Sequence, residues 1–217
     1  MNLKEHENLI RELQDSDSEV VLDGAVNNEV WSKNSVRILW ILKETHGKPN
    51  PDNDSQDLRI LLKKLADDAN PNEICPTWQR TYGLAVKVSH GLLGDVKGIP
   101  WGEWAERVDK IRIVLREIAV ININKHPGGR STTPQQLVEA ARPFYDVTLK
   151  QIDLLDPTII ISGLKVLGNR ANWWLPKGNT HSKSVIEYHP GAYENHQQYY
   201  ERIKKALGHV DAEGLTI

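Results

Sequence analysis

Apolar positions change their period along the chain, and each change marks an element. Leu3, Leu9, Ile10 and Leu13 share one helical face, so residues 3–14 read as an amphipathic helix. Val36 to Leu42 (VRILWIL) is short, mostly apolar and β-branched, which predicts a buried strand. A polar loop dense in Gly, Pro, Asn and Asp follows, Lys43 to Asp54. Ser55 then reads as the cap of a helix carrying Leu58, Leu61, Leu62 and Leu65. Further helices are expected over Thr77–Leu92 and Glu106–Arg116, with a Gly- and Trp-containing connection between them. Ile118–Ile123 (IAVINI) predicts a second buried strand, Thr158–Ser162 (TIIIS) a third and Ser184–Tyr188 a fourth. Thr133 and Pro134 have the form of an N-cap and a first-turn proline, and that helix is expected to run to about Leu155. Residues 163–174 and 194–207 complete the helical set.

Mostly apolar strands alternating with helices predict a parallel sheet covered on both faces. The expected fold is α/β, a three-layer α/β/α sandwich around a mainly parallel four-stranded sheet. Residues 1–217 read as one domain, with a core over about 36–207 and a helical extension over 1–35. In such sheets ligands bind beyond the carboxyl ends of the strands. The polar signals cluster there: Glu44-Thr45-His46-Gly47 after the first strand, Asn122 to Arg130 on and after the second, and His189-Pro190-Gly191 after the fourth.

Composition narrows the chemistry. Charged residues make up 26% and hydrophobic residues 39%, the balance of an ordinary globular chain. A net charge of −2 excludes a uniformly basic surface but not a local basic groove. The single cysteine, Cys75, excludes an intramolecular disulfide and a four-thiolate cluster. The spacing of His46, His126 and His181 matches no standard ligand pattern, so no metal and no cofactor are expected. The N-terminus is charged and no run reaches the roughly 18–20 apolar residues of a membrane span, so the expected compartment is the cytoplasm.

The middle of the chain resembles the uracil-DNA glycosylase superfamily. The residues that carry the likeness are Asn122-Ile123-Asn124-Lys125-His126-Pro127-Gly128-Gly129-Arg130, then Thr133-Pro134, Arg142-Pro143-Phe144, and Gln151 to Pro157 (QIDLLDP). They are most similar to the bacterial and archaeal type-4 group, with its N-[VI]-V-K-C-R-P-P-G-N-R loop, P-T-P-E-E helix start, R-P-[FY] and Q-I-x-L-L-x-P. Lys43 to Gly47 stands where the superfamily has G-E-[AG]-P-G, and His189-Pro190-Gly191 where it has H-P-S. The likeness spans roughly residues 36 to 207.

That resemblance implies an enzyme that removes uracil or another altered base from DNA. Asn122 would read the Watson–Crick edge of the base, since an amide offers a donor and an acceptor together. His189 would stabilise the departing base, and Glu44 would orient water and the sugar cation. Thr45 and His46 would line the base pocket; Thr45 also stands where the wider superfamily can carry its water-activating acid. Lys125, Arg130 and Gly191 would hold the DNA backbone. The expected partner is DNA, single-stranded or with a flipped-out base, bound by a monomer without a membrane. The departures are specific. The first glycine and the proline of the first loop are replaced by Lys43 and His46, and the serine of the last by Gly191. No aromatic follows the first loop closely; Trp78 or Tyr82 are the candidates to stack on a base. Two cluster cysteines of the type-4 group correspond to His126 and Ala141, so this chain reads as a cluster-free relative. The altered loops also leave open a non-catalytic member that binds nucleic acid or a nucleobase, or a hydrolase of free nucleotides.

Overall fold

The computed structural model describes residues 1–44, 57–68, 82–97, 111–128, 132–177, 181–192 and 195–208. Five strands form one sheet: β1 (Gly24–Ala25), β2 (Ile38–Leu42), β3 (Ala119–Asn122), β4 (Ile159–Ser162) and β5 (Lys183–Ile186). Their order is β1-β3-β2-β4-β5. The last four strands in sequence are mutually parallel, whereas β1 pairs antiparallel with β3. The sheet is therefore mixed and five-stranded, not four-stranded as the apolar pattern predicts. A two-residue strand is too short to show any period, and only pairing with Val120 and Ala119 defines it.

Alternation along the central strands builds two cores. Ile38, Trp40, Leu42, Val120, Ile159 and Ile161 face one side; Leu39, Ile41, Ala119, Ile121 and Ile160 face the other. The first side packs against α3 (Leu58–Asp67), α4 (Gly83–Lys97), a 3₁₀ segment at Arg112–Glu117 and α7 (His196–Leu207). Trp40 is fully buried there, and its indole N–H donates to Ser89 Oγ at 2.9 Å, so the ring fills the core without a lost hydrogen bond. Against the second side pack α2 (Asn28–Lys33), α5 (Pro134–Ala141), α6 (Tyr145–Leu155) and a 3₁₀ segment at Lys165–Trp174.

Local chemistry explains most helix ends. Asn2 caps α1 (Leu3–Ser16), and Thr133 with Gln136 forms a capping box ahead of Pro134 on α5. Asp57 caps α3 by accepting from Arg59 N; Ser55, the expected cap, lies outside the described residues. The single helix expected from Pro134 to Leu155 is two helices. Pro143 has no N–H to donate and sits in a 3₁₀ turn at Arg142–Phe144, which divides α5 from α6. Residues 1–35 are more than a helical extension. They supply the edge strand, and α1 packs on α6.

The chain runs from β2 outward to β3, then crosses back to β4 on the other side of β2. This reversal is a topological switch point, where the loops leaving adjacent strands part and open a crevice.

Candidate functional site

The strand register sets the site. Leu42 pairs with Asn122, and the ladder continues past the strands, with Ile123 N donating to Leu42 O at 3.0 Å and Asn124 N to Lys43 O at 2.9 Å. The segment leaving β3 is thereby held beside the one leaving β2. On the other side Gly163 N donates to Ile41 O and Glu187 N to Ser162 O, both at 2.8 Å. Gly163 is also a close approach: a side chain there would stand 3.2 Å from the His189 Cα and 3.3 Å from Leu42. The ends of β2, β4 and β5 therefore meet, and His189 lies against that junction.

Glu44 is buried, 7% exposed. Thr132 Oγ1 donates to its Oε1 at 2.9 Å, while Oε2 is buried with no partner among the described residues. Gly128 lies directly over it; a Cβ there would come 2.1 Å from Glu44 Cγ. The glycine of the β3 loop thus covers the carboxylate of the β2 loop. Asn122 is 3% exposed, and its side-chain Nδ2 has no acceptor among the described residues. Ser162 Oγ, at the end of β4, is also buried and unmatched, but on the opposite face of the sheet, since Ser162 is in register with Ile41 and Asn122 with Leu42. Buried polar atoms in folded proteins are nearly always hydrogen-bonded, so the Glu44 and Asn122 atoms stand out at this edge as groups whose bonding is incomplete among the described residues.

His189 is half-buried. Gly191 N donates to its Nδ1 at 3.2 Å, so Nδ1 is the acceptor and the proton of the neutral ring is on Nε2. Glu187, two residues earlier, is buried and accepts from Lys165 Nζ, Tyr188 N and Arg202 Nε. Burial raises its carboxyl pKa, but those hydrogen bonds more than offset it and hold the group below its ordinary value.

Lys125 corrects an expectation. Its side chain turns inward, the residue is 2% exposed, and both Asp23 carboxylate oxygens lie 2.9 Å from Nζ. Burial pushes the ammonium below its usual range, opposed by the Asp23 charge. Asp23 also accepts from Asn122 N at 2.7 Å and Gln151 Nε2 at 3.0 Å. In this arrangement the lysine cannot hold a phosphate. It ties the β3 loop to the segment before β1, while Val21 N donates to its backbone oxygen at 2.8 Å.

Of the expected site residues, Glu44, Asn122, His189 and Gly191 lie at the carboxyl edge of the sheet; Thr45, His46 and Arg130 lie outside the described residues. Tyr82 is packed in the core, and Trp78 and Cys75 are outside the described residues. The sequence assigns no site role to Thr132, Ser162, Glu187 or Asp23, and shows Gly128 only as part of the loop motif. Glu187 carried a signal: an acid at the end of a strand, two residues before the histidine motif. Asp23 carried none, because its partners are 99 to 128 residues away. Among the described residues no group of three or more His, Cys, Asp or Glu is placed to hold a metal ion. No helix among them is long and apolar enough to cross a membrane. Comparison with protein-family models, curated proteins and solved structures gave no match for this chain.

Proposed function

We propose that the chain is a glycosylase-like hydrolase that cleaves the N-glycosidic bond of uracil or another altered base in DNA. The observation that carries this reading is the pair of unmatched buried groups, Asn122 Nδ2 and Glu44 Oε2, on the adjoining ends of β3 and β2. A base entering the crevice would supply a carbonyl oxygen to the Asn122 amide. Glu44, held by Thr132 on one oxygen, would use the other to orient water toward C1′ of the sugar. As the C1′–N bond breaks, its electron pair leaves with the base, and the water oxygen bonds to C1′. His189 Nε2–H would donate to the carbonyl oxygen where negative charge develops; the water's proton is balanced by protonation of the base.

Two further observations support the reading. Helices on both faces of the sheet fit a three-layer α/β/α arrangement. The position at which the resembled type-4 group carries a cluster cysteine in its basic loop, here His126, packs against the segment that follows the second such position, Ala141. His126 packs edge-on against Phe144, with ring centroids 5.0 Å apart, and Phe144 is three residues from Ala141. Here an aromatic contact stands where a cluster would, and the His126–Asp17 pair at 2.7 Å ties the loop to the end of α1. The reading places the chain in the cytoplasm as a monomer acting on DNA.

The engagement of Lys125 favours a second reading, a protein that binds a nucleobase or nucleoside and needs no phosphate grip from this loop. Labelled oligonucleotides containing uracil, hypoxanthine, xanthine or hydroxymethylcytosine separate the two. On the first reading, incubation followed by alkali cuts the strand at one of these bases, and Asn122→Ala and His189→Ala each slow cutting by about 100-fold or more. Absence of cutting for every base, single- or double-stranded, removes the enzyme reading.

A further inference from the structure

A second concave site lies on the helical flank of the sheet, away from the strand ends. It is a cavity of about 410 Å³ between the start of α6 and the end of the 165–174 segment. Its walls include Arg142, Tyr145, Asp146, Trp173, Trp174 and Lys177. The volume is in the range of small-ligand pockets.

Three features need explaining. Trp173 is 46% exposed, an unusual placement for a large ring beside an otherwise well-buried core. Trp174 is fully buried and meets Tyr145 edge-to-face at 5.2 Å, yet its indole N–H has no acceptor among the described residues. Arg142 and Lys177 are exposed at the same cavity, and no ion pair or side-chain hydrogen bond holds either among the described residues. Against these two cations stands one carboxylate, Asp146. Each feature has an ordinary origin alone. Together they describe a pocket with a flat aromatic wall on a rigid aromatic base and excess positive charge.

We propose that this cavity binds a nucleoside monophosphate unit, free or within a single strand. The base stacks on the Trp173 ring, since every base has a π face and stacking does not depend on its identity. The phosphate sits between Arg142, whose planar fork matches two phosphate oxygens, and Lys177. None of these residues belongs to the strand-end site, so the proposal stands or falls separately from the glycosylase reading.

Calorimetric titration of the intact protein with thymidine 5′-monophosphate tests it, alongside an eight-nucleotide oligothymidine, thymidine, inorganic phosphate and an aromatic carboxylate of similar size. Saturable binding of the mononucleotide or the oligonucleotide is expected, with thymidine and phosphate alone weaker by about tenfold or more. Trp173→Ala and Arg142→Gln, both at exposed positions, should each weaken that binding by about tenfold. Far tighter binding of the oligonucleotide would identify a strand as the source, and equal binding per unit a free nucleotide. Binding of neither, binding unchanged in both variants, or equal binding of the aromatic carboxylate overturns the proposal. His189→Ala should leave this binding intact even if it abolishes base removal.

Discussion

Asp23 and Glu44 are both buried carboxylates at the rim of one sheet, and they are treated in opposite ways. Asp23 receives the Lys125 ammonium on both oxygens, the Asn122 backbone N–H and the Gln151 amide. Glu44 receives one hydroxyl, and its second oxygen has no partner among the described residues. A buried charge is tolerated when it is paired and fully hydrogen-bonded. Asp23 meets that requirement within the protein and so acts in the architecture, joining α6, β3 and the segment before β1. Glu44 retains unused bonding capacity beside an equally unmatched Asn122 amide. The saturated carboxylate holds the fold, and the other keeps one oxygen unmatched among the described residues, the oxygen that the proposed reaction would use.

The largest expected effect comes from unbalancing the saturated side. Lys125→Met removes the cation and leaves Asp23 buried without its counter-charge, which should cost about 3–5 kcal/mol in a urea unfolding titration. A loss near zero would mean that Lys125 is not the internal anchor described above. Next is Gly128→Ala. The added methyl overlaps Glu44, so the loop or the carboxylate must shift, at about 1–3 kcal/mol and with loss of whatever activity Glu44 supports. Smaller again in stability is Glu44→Gln, which keeps the shape and the Thr132 bond. It should move the unfolding midpoint by less than about 1 kcal/mol yet reduce base removal by about 100-fold or more. Equal stability losses for Lys125→Met and Glu44→Gln would erase the contrast between the two carboxylates.

The last effect shows only in acid. The His6 imidazole beside it, with Nδ1 3.9 Å from Oε1, holds the Glu7 carboxyl at about 2, with the Asn28 hydrogen bond and the Arg59 charge adding to it and partial burial opposing. The folded value lies below the ordinary 4.5, so this group's contribution is present above about 4.5 and is lost as pH falls toward about 2. Unfolding midpoints measured across that window should fall less steeply for Glu7→Gln than for the parent chain.

Legibility tracked the range of the interactions. The strands at Ile38–Leu42, Ala119–Asn122 and Ile159–Ser162 were visible as apolar runs because each is buried on both faces. The Thr133–Pro134 start of α5 was visible because a cap is made within four residues. Glu44, Asn122 and His189 were visible as polar residues at strand ends. Lys125 was misread: a lysine in a glycine-rich loop has the same local sequence whether it meets solvent or a buried aspartate. Trp173 and Trp174 are adjacent in sequence, yet one is the rim of a cavity and the other is core. Nothing local separates them, because the 3₁₀ segment that ends there turns one ring inward and the other out.

What the chain determines by itself is the class of its layers. The alternation of apolar runs with amphipathic stretches dictates strands that must be covered on both faces, and with them a crevice at the carboxyl ends. Tertiary structure decided which polar groups in that crevice are used up. Asp23 reaches Lys125 across 102 residues, and β1 exists only through its pairing with β3. Such partners are chosen by where the packed sheet brings distant segments together. For that reason the division between a saturated anchor and an unsaturated site appears only in three dimensions.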